Sequence, residues 1–309
     1  MVHFVPLGQL HQIGRIASDL HAVSPLELVQ TFVFQNEVFG VQLAERLEHY
    51  IRQENKADFA GDFFCLVEDQ TLWGVIFVSM AGLVLTCIPQ NLPEPVFQQA
   101  IPLIASQLQR RKVYCVSGWS RGAQLMAAAL RFVSADGGDS SIRQPVERRR
   151  YLFMCFDRRR CHGERIPQYQ VVRCQEAQME QLYPLQRAYD MVEVLPTNQP
   201  FKELLCRSNL LRSLRLGNVV AIPAKNEVFM AKATVSAVSW RFLQIGGVFT
   251  AEAYRRRGAA ARLVQWLGEE AEQSQRQAVL FVREENLAAR HAYENAGYFF
   301  SGNYEILYY

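Results

Sequence analysis

Residues 244–264 read QIGGVFTAEAYRRRGAAARLV, and this stretch decides how the C-terminal half of the chain folds. The apolar run that ends at Thr250 predicts a β-strand, and the residues after Gly258 predict an amphipathic helix with one apolar face. A helix N-terminus presents unpaired N–H groups and a partial positive charge. The strand, loop and helix together therefore predict an anion site that suits a pyrophosphate.

The loop itself has the composition that such a site needs. Gly258 can adopt a positive φ and lets an anion approach the backbone closely. Two small residues keep that approach uncrowded, Ala259 and Ala260. Three side chains add positive charge, Arg255, Arg256 and Arg257. A solvated arginine loop before an ordinary helix would look similar, so a second signal is required.

Residues 286–298 supply that signal, with the sequence NLAARHAYENAGY after a predicted strand at 278–282. Asn286 suits the N-cap of a helix, and Gly297 is typical of the position just past a helix end. Asn286, Ala289 and Tyr293 share one helical face because of their spacing. If that face borders the anion site, the Tyr293 phenol can reach the reacting end of a ligand.

Together, these segments resemble the Gcn5-related N-acetyltransferase (GNAT) superfamily. Its coenzyme-binding motif is Q/R-x-x-G-x-G/A, and Arg255, Gly258 and Ala260 match it. The Gly-Val-Phe-Thr strand before the motif and the Asn-x-x-Ala-x-x-x-Tyr helix after it match the next landmarks of the family. The resemblance covers residues 169–309. It implies an acetyl-CoA-dependent transfer of an acetyl group to a primary amine, on a small molecule or on a protein lysine or N-terminus.

The resemblance also implies roles for particular residues. The strand at Val248, Phe249 and Thr250 would bond the pantetheine arm through its backbone, and the amides of residues 256–260 would hold the pyrophosphate. Asn286 and Ala289 would border the coenzyme. Tyr293 would protonate the departing thiolate. The amine must lose a proton, so a general base is needed; our candidate is Glu193, for which a plain surface carboxylate is the alternative. We expect His291 to lie off the Tyr293 face.

The pattern of elements predicts a mixed α/β layer fold in two domains, residues 1–165 and 166–309. A charged segment with Gly163 and Pro167 marks the boundary. Both halves show strands followed by helix, strand and helix, which indicates a degenerate GNAT-like repeat or a chance match of two short α/β units. At the equivalent place the N-terminal half has residues 89–95, PQNLPEP, with neither glycine nor a basic residue. We expect no pyrophosphate binding there.

The composition of the chain bears on its partners, its redox compartment and its location. Half of the 309 residues are apolar and the formal net charge is only +3, which does not favour nucleic acid as the partner. Seven cysteines without a C-x-x-C pair predict a reducing compartment, no disulfide framework and no metal site. No signal peptide or membrane span is recognisable, so we expect a soluble cytoplasmic protein. The oligomeric state is left open.

Two other functions compete with acetyl transfer. One is a coenzyme A-binding regulatory module that has lost turnover. The other is a hydrolase, since residues 118–122 read G-W-S-R-G between a predicted strand and a helix, the context of a nucleophilic Ser120. Only His162 and His291 follow Ser120, and no oxyanion segment precedes it. A turn that caps the helix explains the same residues.

Overall fold

The computed structural model describes residues 1–12, 24–54, 60–136, 144–162, 166–197, 199–225 and 228–309. The chain forms two compact units. The N-terminal unit contains Met1–Arg150 together with Asn303–Tyr309, and the C-terminal unit contains Tyr151–Gly302. Within the described ranges, every helix is too short or too polar to cross a bilayer.

The C-terminal unit contains strands β6 (Glu147–Phe156), β7 (Val172–Arg173), β8 (Val219–Pro223), β9 (Phe229–Val238), β10 (Phe242–Thr250) and β11 (Gln277–Arg283), together with the first residues of β12 (Tyr298–Tyr308). Its mixed sheet has the strand order β6-β11-β10-β9-β8-β7. Strand β10 is parallel to β11, and the other neighbours are antiparallel.

Helices cover both faces of this sheet. Helix α7 (Ala259–Gln273) buries an apolar face that includes Leu263, Val264 and Leu267 against one side, and α8 (Leu287–Asn295) joins the same cluster through Tyr293. The other side packs against α5 (Met179–Tyr189) and α6 (Glu203–Arg215). A short π-helical turn, Asp190–Val194, continues α5 without a break.

The N-terminal unit has its own sheet, with the order β1-β2-β3-β4-β5-β12. Its strands are β1 (Val2–Pro6), β2 (Gly61–Glu68), β3 (Thr71–Ser79), β4 (Leu83–Cys87), β5 (Cys115–Trp119) and the end of β12. Its helices are α1 (Pro25–Gln35), α2 (Val41–Ile51), α3 (Glu94–Leu108) and α4 (Ser120–Asp136).

The two units repeat the same order of elements. In the N-terminal unit three antiparallel strands, β2 to β4, lead to α3, then to β5 parallel to β4, then to α4. In the C-terminal unit β8 to β10 lead to α7, then to β11 parallel to β10, then to α8. The predicted α/β class and the degenerate repeat are therefore both present.

The units divide differently from the domains that the sequence predicts. Residues 151–156 of β6 pair with β11, so they belong to the C-terminal unit although they precede residue 165. Tyr304–Tyr308 pair with β5, so the last strand belongs to the N-terminal unit. The charged segment after β6 is consequently a loop of the C-terminal unit; its residues 163–165, where the boundary was predicted, lie outside the described residues. Relative to the predicted boundary at residue 165, each unit thus takes one strand from the other half of the chain.

Candidate active site

A cavity of about 760 Å³ opens in the C-terminal unit where β10 and β11 end. Backbone and side chains from β10, the loop before α7, the first turn of α7, the π-helical turn and α8 line it. Nearly all of the predicted site residues border this one cavity: Glu193, Val248, Phe249, Thr250, Arg255, Arg256, Gly258, Ala259, Ala260, Asn286, Ala289 and Tyr293. The exception is Arg257, whose carbonyl oxygen accepts a hydrogen bond from the Tyr169 hydroxyl at 3.1 Å.

The start of α7 has the geometry of an anion site. Gly258 is the residue before the helix and has φ +77°, as its role in the loop requires. Arg256 also adopts a positive φ, +61°, a conformation that costs energy for a residue with a side chain and is more frequent at functional sites. The first residues of α7 line the cavity, so the positive end of the helix dipole is turned towards it.

A second reason for glycine at position 258 is visible only in the folded chain. A β-carbon added there would lie 2.6 Å from Cδ of Pro167, far inside van der Waals contact. The added carbon therefore points at the Pro167 ring, and Gly258 borders the cavity through its backbone. Pro167 belongs to the charged segment that the sequence marks as a linker, and its ring leaves no space for a side chain on the loop.

Strand β10 is bulged where it reaches the cavity. Gly246 pairs with Thr234 and Phe249 with Lys232, so three steps along β10 match two along β9. The extra residue leaves the ladder, and Gly247 takes φ +59°. Val248 packs with the α7 side of the sheet and Phe249 with the α5 and α6 side. These two side chains therefore lie on opposite faces of the sheet, and both residues line the cavity with the bulge.

Helix α8 presents Tyr293 to the cavity. Asn286 is the N-cap, as predicted, and its side-chain oxygen accepts a hydrogen bond from the Ala289 N–H at 3.1 Å. Tyr293 is buried, with its ring centre 6.4 Å from that of Tyr298. Burial, with smaller contributions from Tyr189 and Glu193, raises the pKa of Tyr293. The phenol is therefore protonated at neutral pH, as an acid must be.

Glu193 lies on the π-helical turn and is held by an arginine that sequence reasoning missed. Arg283, the last residue of β11, places Nε 2.9 Å from Glu193 Oε2. Its Nη2 donates to the carbonyl oxygens of Val192 at 3.0 Å and Glu193 at 3.1 Å. Glu193 thus lines the cavity while its carboxylate forms an ion pair with a guanidinium. The only signal in the sequence is an arginine directly after the apolar run 278–282.

Two other residues, which the sequence did not assign to the site, also line the cavity. His291 is exposed but does line the cavity, on the same helix as Tyr293. Tyr189 ends α5 beside the cavity, and burial is the main reason that its pKa is raised. The spacing of α5 places Tyr189 on the apolar face, which indicates packing rather than a site.

The Gly-x-Ser-x-Gly segment of the N-terminal unit has a packing explanation. β-Carbons added to Gly118 and Gly122 would lie 2.0 Å and 2.5 Å from Thr86 Oγ1. The glycines therefore allow β5 and α4 to approach β4. Ser120 is the first residue of α4 rather than the residue before it. Both later histidines, His162 and His291, belong to the C-terminal unit.

No metal-ligating group accompanies these features in the part of the chain that the structure describes: His, Cys, Asp and Glu side chains do not come together in threes there. All seven cysteines are free, and six of them are buried. A buried thiol behaves as a small apolar side chain, and burial raises the pKa of Cys65 and Cys115 to about 12.

Comparison with known proteins identifies the class of this unit. Residues 181–298 match the family model described as Acetyltransferase (GNAT) family. The match covers the π-helical turn, the bulged strand, the start of α7 and α8, which are the elements that line the cavity. The C-terminal unit is therefore a GNAT-family domain. None of the curated proteins compared with this chain matches it.

Solved structures extend the likeness to the whole chain. A tandem GNAT protein from the clavulanic acid biosynthesis pathway is 11% identical, with 99% of this chain and 98% of that chain covered and a TM-score of 0.51. A GCN5-related N-acetyltransferase from Sphaerobacter thermophilus is 13% identical, with coverage of 99% and 94% and a TM-score of 0.51. A Drosophila protein is 11% identical, with coverage of 92% and 95% and a TM-score of 0.59. At such identities the likeness shows the fold alone, which here is two GNAT-like units in one chain.

Proposed function

We propose that the C-terminal unit is an acetyl-CoA-dependent N-acetyltransferase that acts on a primary amine. One observation carries the proposal: a single cavity joins the start of α7, the bulge of β10 and the buried phenol of Tyr293. The first two suit the pyrophosphate and the amide-rich arm of coenzyme A, and the third suits the sulfur end. Amides of residues 256–260, with Arg255 and Arg256 beside them, would hold the phosphates.

The chemistry that these residues support is direct attack. The amine nitrogen forms a bond to the thioester carbonyl carbon, and the C–S bond breaks. Tyr293 donates its proton to the departing sulfur, and the proton that the amine loses goes to a base, for which Glu193 is our candidate. Such general acid–base assistance typically contributes about 10²–10⁴-fold to the rate. The products are an amide and the free thiol of coenzyme A.

Over the residues that the structure describes, the N-terminal unit shows no counterpart of the loop and bulge that line this cavity. Residues 88–93 join β4 to α3, and Pro93 precedes the helix without a side-chain cap. The described pairs of β3 and β4 keep their register without a bulge. Two prolines in the joining segment lack N–H groups. We therefore propose one acetyl-CoA per chain, bound by the C-terminal unit.

The test is a titration of the full chain with acetyl-CoA by calorimetry, followed by a screen of amine acceptors that reads thiol release. One site per chain and acceptor-dependent thiol release support the proposal. Two sites per chain would contradict the assignment of the N-terminal unit. Absence of binding would reject the function.

A second candidate is a coenzyme A-binding regulatory module without turnover. The ion pair between Glu193 and Arg283 favours it, because it engages the carboxylate that would accept the amine proton. Stoichiometric binding with no thiol release across primary amines, amino acids and lysine peptides would select this candidate. The unit would then bind acetyl-CoA as a regulatory ligand and would not transfer the acetyl group.

A further inference from the structure

A fully buried lysine lies beneath the bulge of β10. Lys232 on β9 faces Phe249 across the ladder and has no exposed surface. Its Nζ donates to the carbonyl oxygen of Gly247 at 2.9 Å and lies 5.0 Å from the ring centre of Tyr189. A buried ammonium is costly unless it is hydrogen-bonded and compensated by charge. Its position between two buried alanines, Ala231 and Ala233, therefore needs a structural explanation.

The bulge supplies that reason. The extra residue at Gly247 leaves the β9–β10 ladder, and a backbone carbonyl without a partner is costly away from water. Lys232 takes the place of the missing ladder partner. The bulge packs closely against these side chains, because a β-carbon on Gly247 would lie 3.1 Å from Lys232 Nζ and 2.9 Å from Thr234 Oγ1.

The same lysine also contacts the opposite wall of the site. The ring of Tyr189 lies over the ammonium, with its centre 5.0 Å from Nζ. The next residue, Asp190, begins the π-helical turn that carries Glu193 and acts on Lys232 as an opposite charge. Lys232 therefore touches or attracts both the strand that would hold the pantetheine arm and the turn that would hold the base.

We propose that Lys232 is a positioning residue, which fixes the bulge of β10 and the start of the π-helical turn. It would thereby hold in place both the β10 backbone that contacts acetyl-CoA and the carboxylate of Glu193. This inference rests on the proposed function for its kinetic consequences. Its structural content, that Lys232 holds the backbone of residues 247–249, does not depend on turnover.

The charged groups around Lys232 make its protonation measurable. Burial lowers the pKa of Lys232 to about 8, and the opposite charge of Asp190 partly offsets this shift. Two neighbouring thiols, Cys206 and Cys174, stay protonated over the same range. The pKa of Cys206 is raised to about 12 and that of Cys174 to about 11, mainly by burial. Tyr189 on α5 also has a raised pKa. Between pH 7 and 9, Lys232 therefore titrates while these thiols and the phenol do not.

The experiment compares Lys232→Met, which keeps an unbranched side chain one heavy atom shorter and removes the donor, with Lys202→Met, which removes an exposed lysine. In the full chain, amide hydrogen exchange at 247–249 and the acetyl-CoA KM and kcat are measured. We expect faster exchange at 247–249 in Lys232→Met and a KM roughly tenfold higher, the value of one charged hydrogen bond, with Lys202→Met like the parent. Unchanged exchange and KM, with only a lower free energy of unfolding, would overturn the proposal.

If Lys232→Met does not fold, the KM of the parent from pH 7 to 9 decides: a rise with an apparent pKa near 8 supports the proposal, and a flat profile overturns it. If the parent binds no acetyl-CoA, the proposed function fails, and hydrogen exchange in the ligand-free protein still decides whether Lys232 holds the bulge.

Discussion

Replacement of Gly258 by alanine separates the two reasons for glycine at the start of α7. The residue has φ +77°, and a left-handed conformation costs an ordinary residue about 1–2 kcal/mol. The new β-carbon would also lie 2.6 Å from Cδ of Pro167, whose ring cannot rotate away. Overpacking of this kind costs about 1–3 kcal/mol. We therefore expect the free energy of unfolding to fall by about 2–5 kcal/mol.

Gly217→Ala is the matched control. Gly217 has φ +67°, and its added β-carbon would meet only Cδ of Arg173, at 4.0 Å, which is an ordinary contact. It should lose only the conformational cost of about 1–2 kcal/mol. Both changes reduce the freedom of the unfolded chain equally, so that term cancels between them. Urea unfolding of the two variants isolates the contact with Pro167.

Acetyl-CoA titration of the same variants then tests the proposed phosphate site. Because the β-carbon pushes the loop away from Pro167, the amides of residues 256–260 move, and we expect Gly258→Ala to weaken binding at least tenfold, about 1.4 kcal/mol. Gly217→Ala should bind like the parent. Equal stability of the two variants would refute the packing argument. Undiminished affinity in a folded but destabilised Gly258→Ala would refute the phosphate site.

Four further predictions follow from the site. Tyr293→Phe should lower turnover roughly 10- to 10³-fold with little change in acetyl-CoA affinity, and a loss below twofold with chemistry rate-limiting would exclude the phenol as the acid. Glu193→Gln should lower turnover at least tenfold if the carboxylate is the base, while a parent-like rate assigns Glu193 to holding Arg283 alone. Lys232 has a pKa of about 8 in the fold against 10.5 in the unfolded chain, so the unfolded state binds more protons between these values. Stability should therefore rise with pH from 8 to 10.5 in the parent relative to Lys232→Met, by on the order of 3 kcal/mol at most, and parallel pH curves would contradict the buried charge. Ser120→Ala should leave turnover and fluorophosphonate labelling unchanged, and labelling that depends on Ser120 would revive a hydrolase.

The sequence by itself determined most of the elements and the position of the candidate site. Local signals suffice where a pattern acts within a few residues: the period of α7, the N-cap at Asn286 and the need for a positive φ at Gly258 all depend on neighbours along the chain. The order of elements indicated the repeat, with a chance match of two α/β units as the alternative. These signals, together with the resemblance to the GNAT family, indicated thirteen site residues, of which all but Arg257 line one cavity.

Tertiary structure alone decided which distant groups meet. Residues 151–156 and 304–308 join the sheets of different units because strand pairing depends on available edges, which a linear composition shift does not reveal. Arg283 meets Glu193, and Lys232 meets the Gly247 carbonyl, only because β11, β9 and the π-helical turn converge. A lysine in a strand and an arginine after one carry no signature of a buried partner. Their roles follow from burial, because only in the protein interior does an unpaired charge or carbonyl cost enough free energy to require a partner.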